Sequence, residues 1–107
     1  MLLAAACGGE GPGLPSDLAA QLAQRADAAA AAGDANRFCA ARAQVVELQT
    51  RTIAAVNDGL VPAELQEELL GSVNALLDGV TCEPASAVDG WADAARDLSS
   101  WVRDRSD

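Results

Sequence analysis

The sequence predicts an all-α protein, a small three- to four-helix bundle built on an antiparallel helical hairpin. Three observations predict it. No segment alternates apolar and polar residues over strand lengths, and aromatic residues number only three, two Trp and one Phe. Pro and Gly cut the chain into helix-sized pieces. Within those pieces apolar residues recur at spacings of three and four, which puts them on one face of a helix.

The first helix is expected to begin after Ser16. Pro15 precedes it, the Ser16 hydroxyl is a capping group, and Asp17 suits the positive end of the helix dipole. Its apolar stripe is Leu18, Leu22, Ala26 and Ala29 or Ala30, and Gly33 is the expected stop. So much Ala buries little area, so this helix should pack close to a neighbour. A second helix is expected from Asp34, as N-cap, to about Asn57. Phe38, Ala41, Val45, Leu48, Thr52, Ala55 and Val56 form its stripe, with Val46 and Ile53 widening it. Asp58 and Gly59 end it.

Pro62 is a favoured first-turn residue and opens a third helix. Leu65, Leu69, Val73, Leu76 and Val80 make one stripe, with Leu70 and Leu77 beside it. Asp78 and Gly79 repeat the stop signal. A fourth helix is expected after Pro84, with Ser86 and Asp89 at capping-box spacing. Trp91, Ala94 or Ala95, Leu98, and Trp101 or Val102 give it an amphipathic stripe. Trp91 and Trp101 are the largest apolar groups in the chain. They either cap the bundle core or serve as a half-exposed contact for a partner.

Composition excludes several chemistries. The 107 residues carry seven Arg against sixteen acidic residues, for a net charge of −9, with no His, no Tyr and no Lys. A His-based triad, a His metal site and a Schiff-base or P-loop Lys are therefore impossible. The acidic balance argues against nucleic acid, whose partners present a basic face. The i, i+4 carboxylate pairs Glu64 and Glu68, and Asp93 and Asp97, have the spacing of a solvated helix surface. The chain is expected to be non-enzymatic, with no catalytic residue, cofactor, metal or evident small-molecule substrate.

The cysteines carry the sharpest expectation. The turn between the second and third helices centres near residue 60, and Cys39 and Cys82 lie about 21 residues to either side of it. In an antiparallel hairpin both return to the same end. A disulfide is expected there, with Cα atoms about 4.4–6.8 Å apart. The alternatives are two unrelated thiols or, more weakly, a thiolate metal site left incomplete without His.

The amino terminus reads Met1-Leu2-Leu3-Ala4-Ala5-Ala6-Cys7-Gly8-Gly9. It resembles the lipobox of bacterial lipoproteins, in which small residues precede a Cys that is diacylglycerol-modified and becomes the new amino terminus. Ala4 stands where Leu is usual. The resemblance implies lipidation of Cys7, with residues 1–7 the remnant of a lipoprotein signal whose basic and apolar part lies upstream. Residues 8–15 (GGEGPGLP) read as a flexible tether with a reach of about 15 Å, and 16–107 as a single helical domain. The layout resembles the small helical lipoproteins of actinobacteria. They carry a lipobox Cys, a Gly/Pro tether and a helical hairpin with paired Cys, here over GDANRFCAARAQVVELQ…VPAELQEELLGSVNALL…C, residues 33–82. That resemblance implies a lipid-anchored module on the extracytoplasmic face of the membrane, contacting another envelope protein. The alternative is a cytosolic helical adaptor or regulator without lipidation. A domain at −9 near anionic lipid would stand off from the surface.

Overall fold

In the computed structural model the described residues run from 13 to 106. Cys7, with the signal remnant and most of the expected tether, lies outside them. The described chain is mostly helical: α1 (Ser16–Asp34), α2 (Phe38–Asn57), α3 (Ala63–Asp78) and α4 (Trp91–Asp104). Two three-residue strands, β1 (Val80–Cys82) and β2 (Ala85–Ala87), pair antiparallel between α3 and α4.

The four helices run up, down, up and down. Side-chain pairs fix these directions. Arg25 meets Gln44, and Arg51 meets Gln21, across α1 and α2. Gln49 donates to Asn74 across α2 and α3. Asp34 and Asp27, near the end and in the middle of α1, meet Arg96 and Arg103 near the start and end of α4. α1 is the central element and packs most extensively against α4 and α2. The α2–α3 hairpin expected to found the bundle is present, but it is the smaller half of the packing.

The cause is the Ala-rich face of α1. Ala19, Leu22, Ala23, Ala26, Ala29, Ala30 and Ala32 are all buried. Small side chains shorten the distance at which helix axes pack, so α1 lies close to both neighbours. The core continues through Ala41, Val45 and Leu48 of α2, Leu69, Val73 and Leu76 of α3, and Ala95, Leu98 and Val102 of α4.

Ser16 does not cap α1: it is the first helical residue after Pro15, and no side chain caps that end. Elsewhere the elements differ from expectation in three places. α1 runs through Gly33 to Asp34, and Asp34 does not cap α2; the residue before α2 is Arg37, with no side-chain cap. The turn is instead a Schellman closure with Asn36 in the left-handed region at φ 59°. Asn36 N–H donates to Gly33 O, and Arg37 N–H to Ala32 O. The α2 end repeats the arrangement, with Gly59 at φ 75°, Gly59 N–H to Val56 O, and Leu60 N–H to Ala55 O. Both helix pairs therefore turn on the same backbone device, once with Gly and once with Asn.

The second difference is the hairpin 80–87, where no sheet was expected. Val80, assigned by periodicity to the α3 stripe, is buried but lies on β1. The third is the start of α4. Ser86 and Asp89 do not form a capping box: Ser86 pairs with Thr81 in the hairpin, and Gly90 precedes the helix at φ 77°. Two residues of the expected α2 stripe also differ. Val46 and Ile53 do not widen the α2 core face but stand at 39% and 46% exposure.

Finally, the folded unit begins earlier than residue 16. Leu14, placed by composition in the tether, is fully buried, and its N–H donates to Arg105 O at 2.7 Å. The segment before α1 thus pairs with the end of α4.

Candidate functional site

Cys39 and Cys82 form a disulfide, with a Cα–Cα distance of 4.5 Å. Cys39 lies in the first turn of α2 and Cys82 ends β1, and both are exposed. The bond fastens the hairpin after α3 to the start of α2. The Schellman turns and helix lengths bring the two sites to one end of the bundle, as the symmetry about residue 60 requires. What symmetry did not disclose is that Cys82 sits on a strand, where the extended backbone carries it across to α2.

The two tryptophans part company. Trp91 is 3% exposed, and its indole N–H donates to Leu76 O at 2.8 Å. Its ring lies between two glycines. A Cβ on Gly33 would come within 3.0 Å of the benzene edge, and one on Gly79 within 2.9 Å of Cδ1. Gly33 lies inside α1, while Gly79 caps the end of α3 as expected; both also make room for Trp91. Trp91 is thus a core residue and offers little surface to a partner. Trp101 is half-buried, with the Arg105 guanidinium 4.4 Å from its ring centroid. Its Nε1 is buried without a hydrogen-bond acceptor.

A cleft of about 490 Å³ opens between α3 and α4. Leu76, Trp91, Leu98 and Trp101 line its apolar part, and Glu68, Asp89 and Asp97 stand around them on α3, the turn at 88–90 and α4. Sequence reasoning named Trp91 and Trp101 but not this cleft, because nothing in a helical stripe reveals how far two helices stand apart. Glu68 and Asp97, each set aside as half of a solvated pair, line it together. Their former partners Glu64 and Asp93 do not, and Asp93 is paired with Arg96 at 2.8 Å.

The opposite side of α4 is electrostatically closed. Arg96 bridges Asp34 and Asp93, and these hydrogen bonds raise its pKa further. Arg103 reaches Asp27 at 2.8 Å and also donates to Ser99. Partial burial pushes the Asp27 carboxyl up. The hydrogen bonds to Arg103 and Ser99, with the charges of Arg103 and Arg96, outweigh it and leave Asp27 below its ordinary value.

Among the described residues no group of three or more His, Cys, Asp or Glu is arranged to hold a metal ion. No helix among them is long and apolar enough to cross a membrane. Comparison with protein-family models, curated sequences and solved structures finds no match.

Proposed function

We propose that the protein is a non-enzymatic helical module, lipid-anchored through Cys7 on the extracytoplasmic face of the membrane, that contacts another envelope protein. The observation that carries this reading is the exposed Cys39–Cys82 disulfide. Bonds of that kind persist in oxidising compartments and are reduced by the thiol pool of the cytosol. An exported bundle with a small, Ala-rich core also has a use for the link, because closing a loop of this length restricts the unfolded chain. The Ala5-Ala6-Cys7-Gly8-Gly9 run supplies the anchor. Two or more acyl chains on such a residue hold a protein stably at a bilayer, where a single chain holds it only marginally.

The test is fractionation and intact-mass measurement of the protein from its native host. The expected form begins at a diacylglyceryl-modified Cys7, partitions with membranes, and has no free thiol at Cys39 or Cys82. Cys7→Ser should move it to a soluble, exported fraction. Unmodified protein in the cytosol, with both cysteines open to alkylation, would overturn the proposal in favour of a cytosolic helical adaptor.

A further inference from the structure

We infer that the outer face of α2 is a self-association surface, on which a second copy of this chain docks its own α2 in a parallel, in-register pair. The inference goes beyond the anchoring reading and is independent of Cys7.

The pattern of exposure comes first. Among the described residues the exposed large apolar side chains are Val46, Ile53, Leu60 and Val88. The two that lie on helices are both on α2, and Leu60 follows in the turn that ends it. Val46 and Ile53 belong to an exposed stripe, Ala43, Val46, Thr50, Ile53 and Asn57. Its steps of three and four alternate, which is the a/d spacing of a coiled-coil seam. The stripe that α2 turns into its own bundle is a different one: Ala41, Val45, Leu48, Thr52 and Ala55. α2 therefore has two helix-spaced faces, and the bundle covers one of them. Thr50 suits a seam, since its hydroxyl donates to Val46 O within the helix and is already satisfied.

Charge says what covers the face. The chain carries −9, so two copies repel wherever acidic surfaces meet. The exposed residues of α3, for example, include Glu64, Glu67, Glu68 and Asp78 and no cation. Along 42–57 the charged residues exposed on α2 are Arg42 and Glu47, which cancel. With Ala43, Thr50 and Asn57 at a, and Val46 and Ile53 at d, Arg42 takes a g position and Glu47 the following e. Those two positions meet between helices in a parallel dimer, and the two-fold axis makes the Arg42–Glu47 contact twice. Arg42 bridges no carboxylate of its own chain. Glu47 gives one oxygen, Oε2, to Arg51 at 3.4 Å and keeps the other. An antiparallel pair would bring g to g and e to e, where α2 offers no opposite charges. Asn57 adds the register, because an Asn at an a position pairs with its own counterpart.

The seam is short. Two heptads span about 21 Å at 1.5 Å per residue, less than a permanent dimer uses. The expected dissociation constant is therefore on the order of 100 μM.

The experiment is sedimentation equilibrium of the whole chain carrying Cys7→Ser, which removes the thiol outside the disulfide, from about 10 μM to about 1 mM. The mass should rise from monomer toward dimer across that range. Val46→Ser with Ile53→Ser alters no charge and should weaken association at least about tenfold, with circular dichroism showing the same helix content. Arg42→Glu sets like charges across both contacts and should weaken it about fivefold or more. Ala63→Glu with Ala94→Glu adds the same negative charge at exposed positions of α3 and α4, and should change it less than about twofold. Asn57→Cys should give a covalent dimer under mild oxidation, since parallel copies bring residue 57 to its own counterpart and antiparallel copies set it at the far end of the seam. Four results would each overturn the inference: a monomer throughout the range, undiminished association after the Val46 and Ile53 changes, an equal loss from Arg42→Glu and from the α3–α4 control, or no covalent dimer through residue 57.

Discussion

The two sides of α4 are built on opposite principles. Toward α1 the contact is tight, made largely of alanine, and pinned along its length. The main chain pairs at Leu14 and Arg105, Arg103 reaches Asp27, and Arg96 reaches Asp34. Toward α3 the contact is sparse: one indole N–H reaches Leu76 O, and a cleft opens beside it. The helix with the larger apolar side chains makes the looser interface. Alanine permits close approach along a whole helix, whereas Leu and Trp hold the axes apart and need an exact fit to fill the space between them. The small residues thus supply the close contact here, and the large ones leave a cleft.

The largest expected effect comes from the one residue that serves both sides. Trp91 packs against Gly33 at the end of α1 and donates to Leu76 of α3. Trp91→Ala should lower stability by about 3–5 kcal/mol in urea denaturation. A loss under about 1 kcal/mol would show that the two halves do not depend on this ring.

Next is the disulfide, which anchors the α3 side from beyond its own helix. Cys39→Ser with Cys82→Ser should cost about 2–4 kcal/mol while helix content is kept. Amide exchange should speed up more in α3 and the β1–β2 hairpin than in α1. Uniform loss of protection would mean that α3 is not the weaker side.

Two identical substitutions then compare the interfaces directly. Ala26 is fully buried on the tight side, and Ala94 is exposed beside the cleft. Ala26→Leu should destabilise by about 1–3 kcal/mol through overpacking. Ala94→Leu should stay within about 0.5 kcal/mol. Equal costs at both positions would remove the distinction.

The smallest effect is electrostatic. Asp27 has a pKa below its ordinary 3.8, so the folded state binds its proton less readily than the unfolded chain does. The stability this gives is present at neutral pH and is lost as pH falls below about 4. Asp27 is about half exposed, so solvent screening keeps the term under about 1 kcal/mol. Measured at pH 7 and pH 3, the stability gap between the wild type and Asp27→Asn should shrink at pH 3. A gap that is the same at both values means the Arg103 pair contributes nothing.

Much of this molecule was legible in its sequence. The stripe through Leu69, Val73 and Leu76, the stop at Gly59 and the pairing of Cys39 with Cys82 all follow from local rules: a period near 3.6, a residue free to adopt positive φ, and equal distances from a turn. Each depends on neighbours within a few turns or on simple counting along a rigid helix. Gly33 and Gly79 show where that reasoning stops. Both look like punctuation, and Gly79 does end α3, yet each also leaves space for a tryptophan that arrives from another helix. Val80 continues a helical stripe but lies on a strand, because β2 gives its backbone a partner in Ala87 that periodicity cannot foresee. Leu14 belongs to a Gly/Pro-rich segment by composition and to the core by position, since the end of α4 offers its N–H an acceptor. Sequence alone thus determined which segments are helices, because the hydrogen bonds of a helix close within one segment. Tertiary structure decided which helices touch closely and which leave the α3–α4 cleft, because that separation depends on side chains meeting from distant parts of the chain.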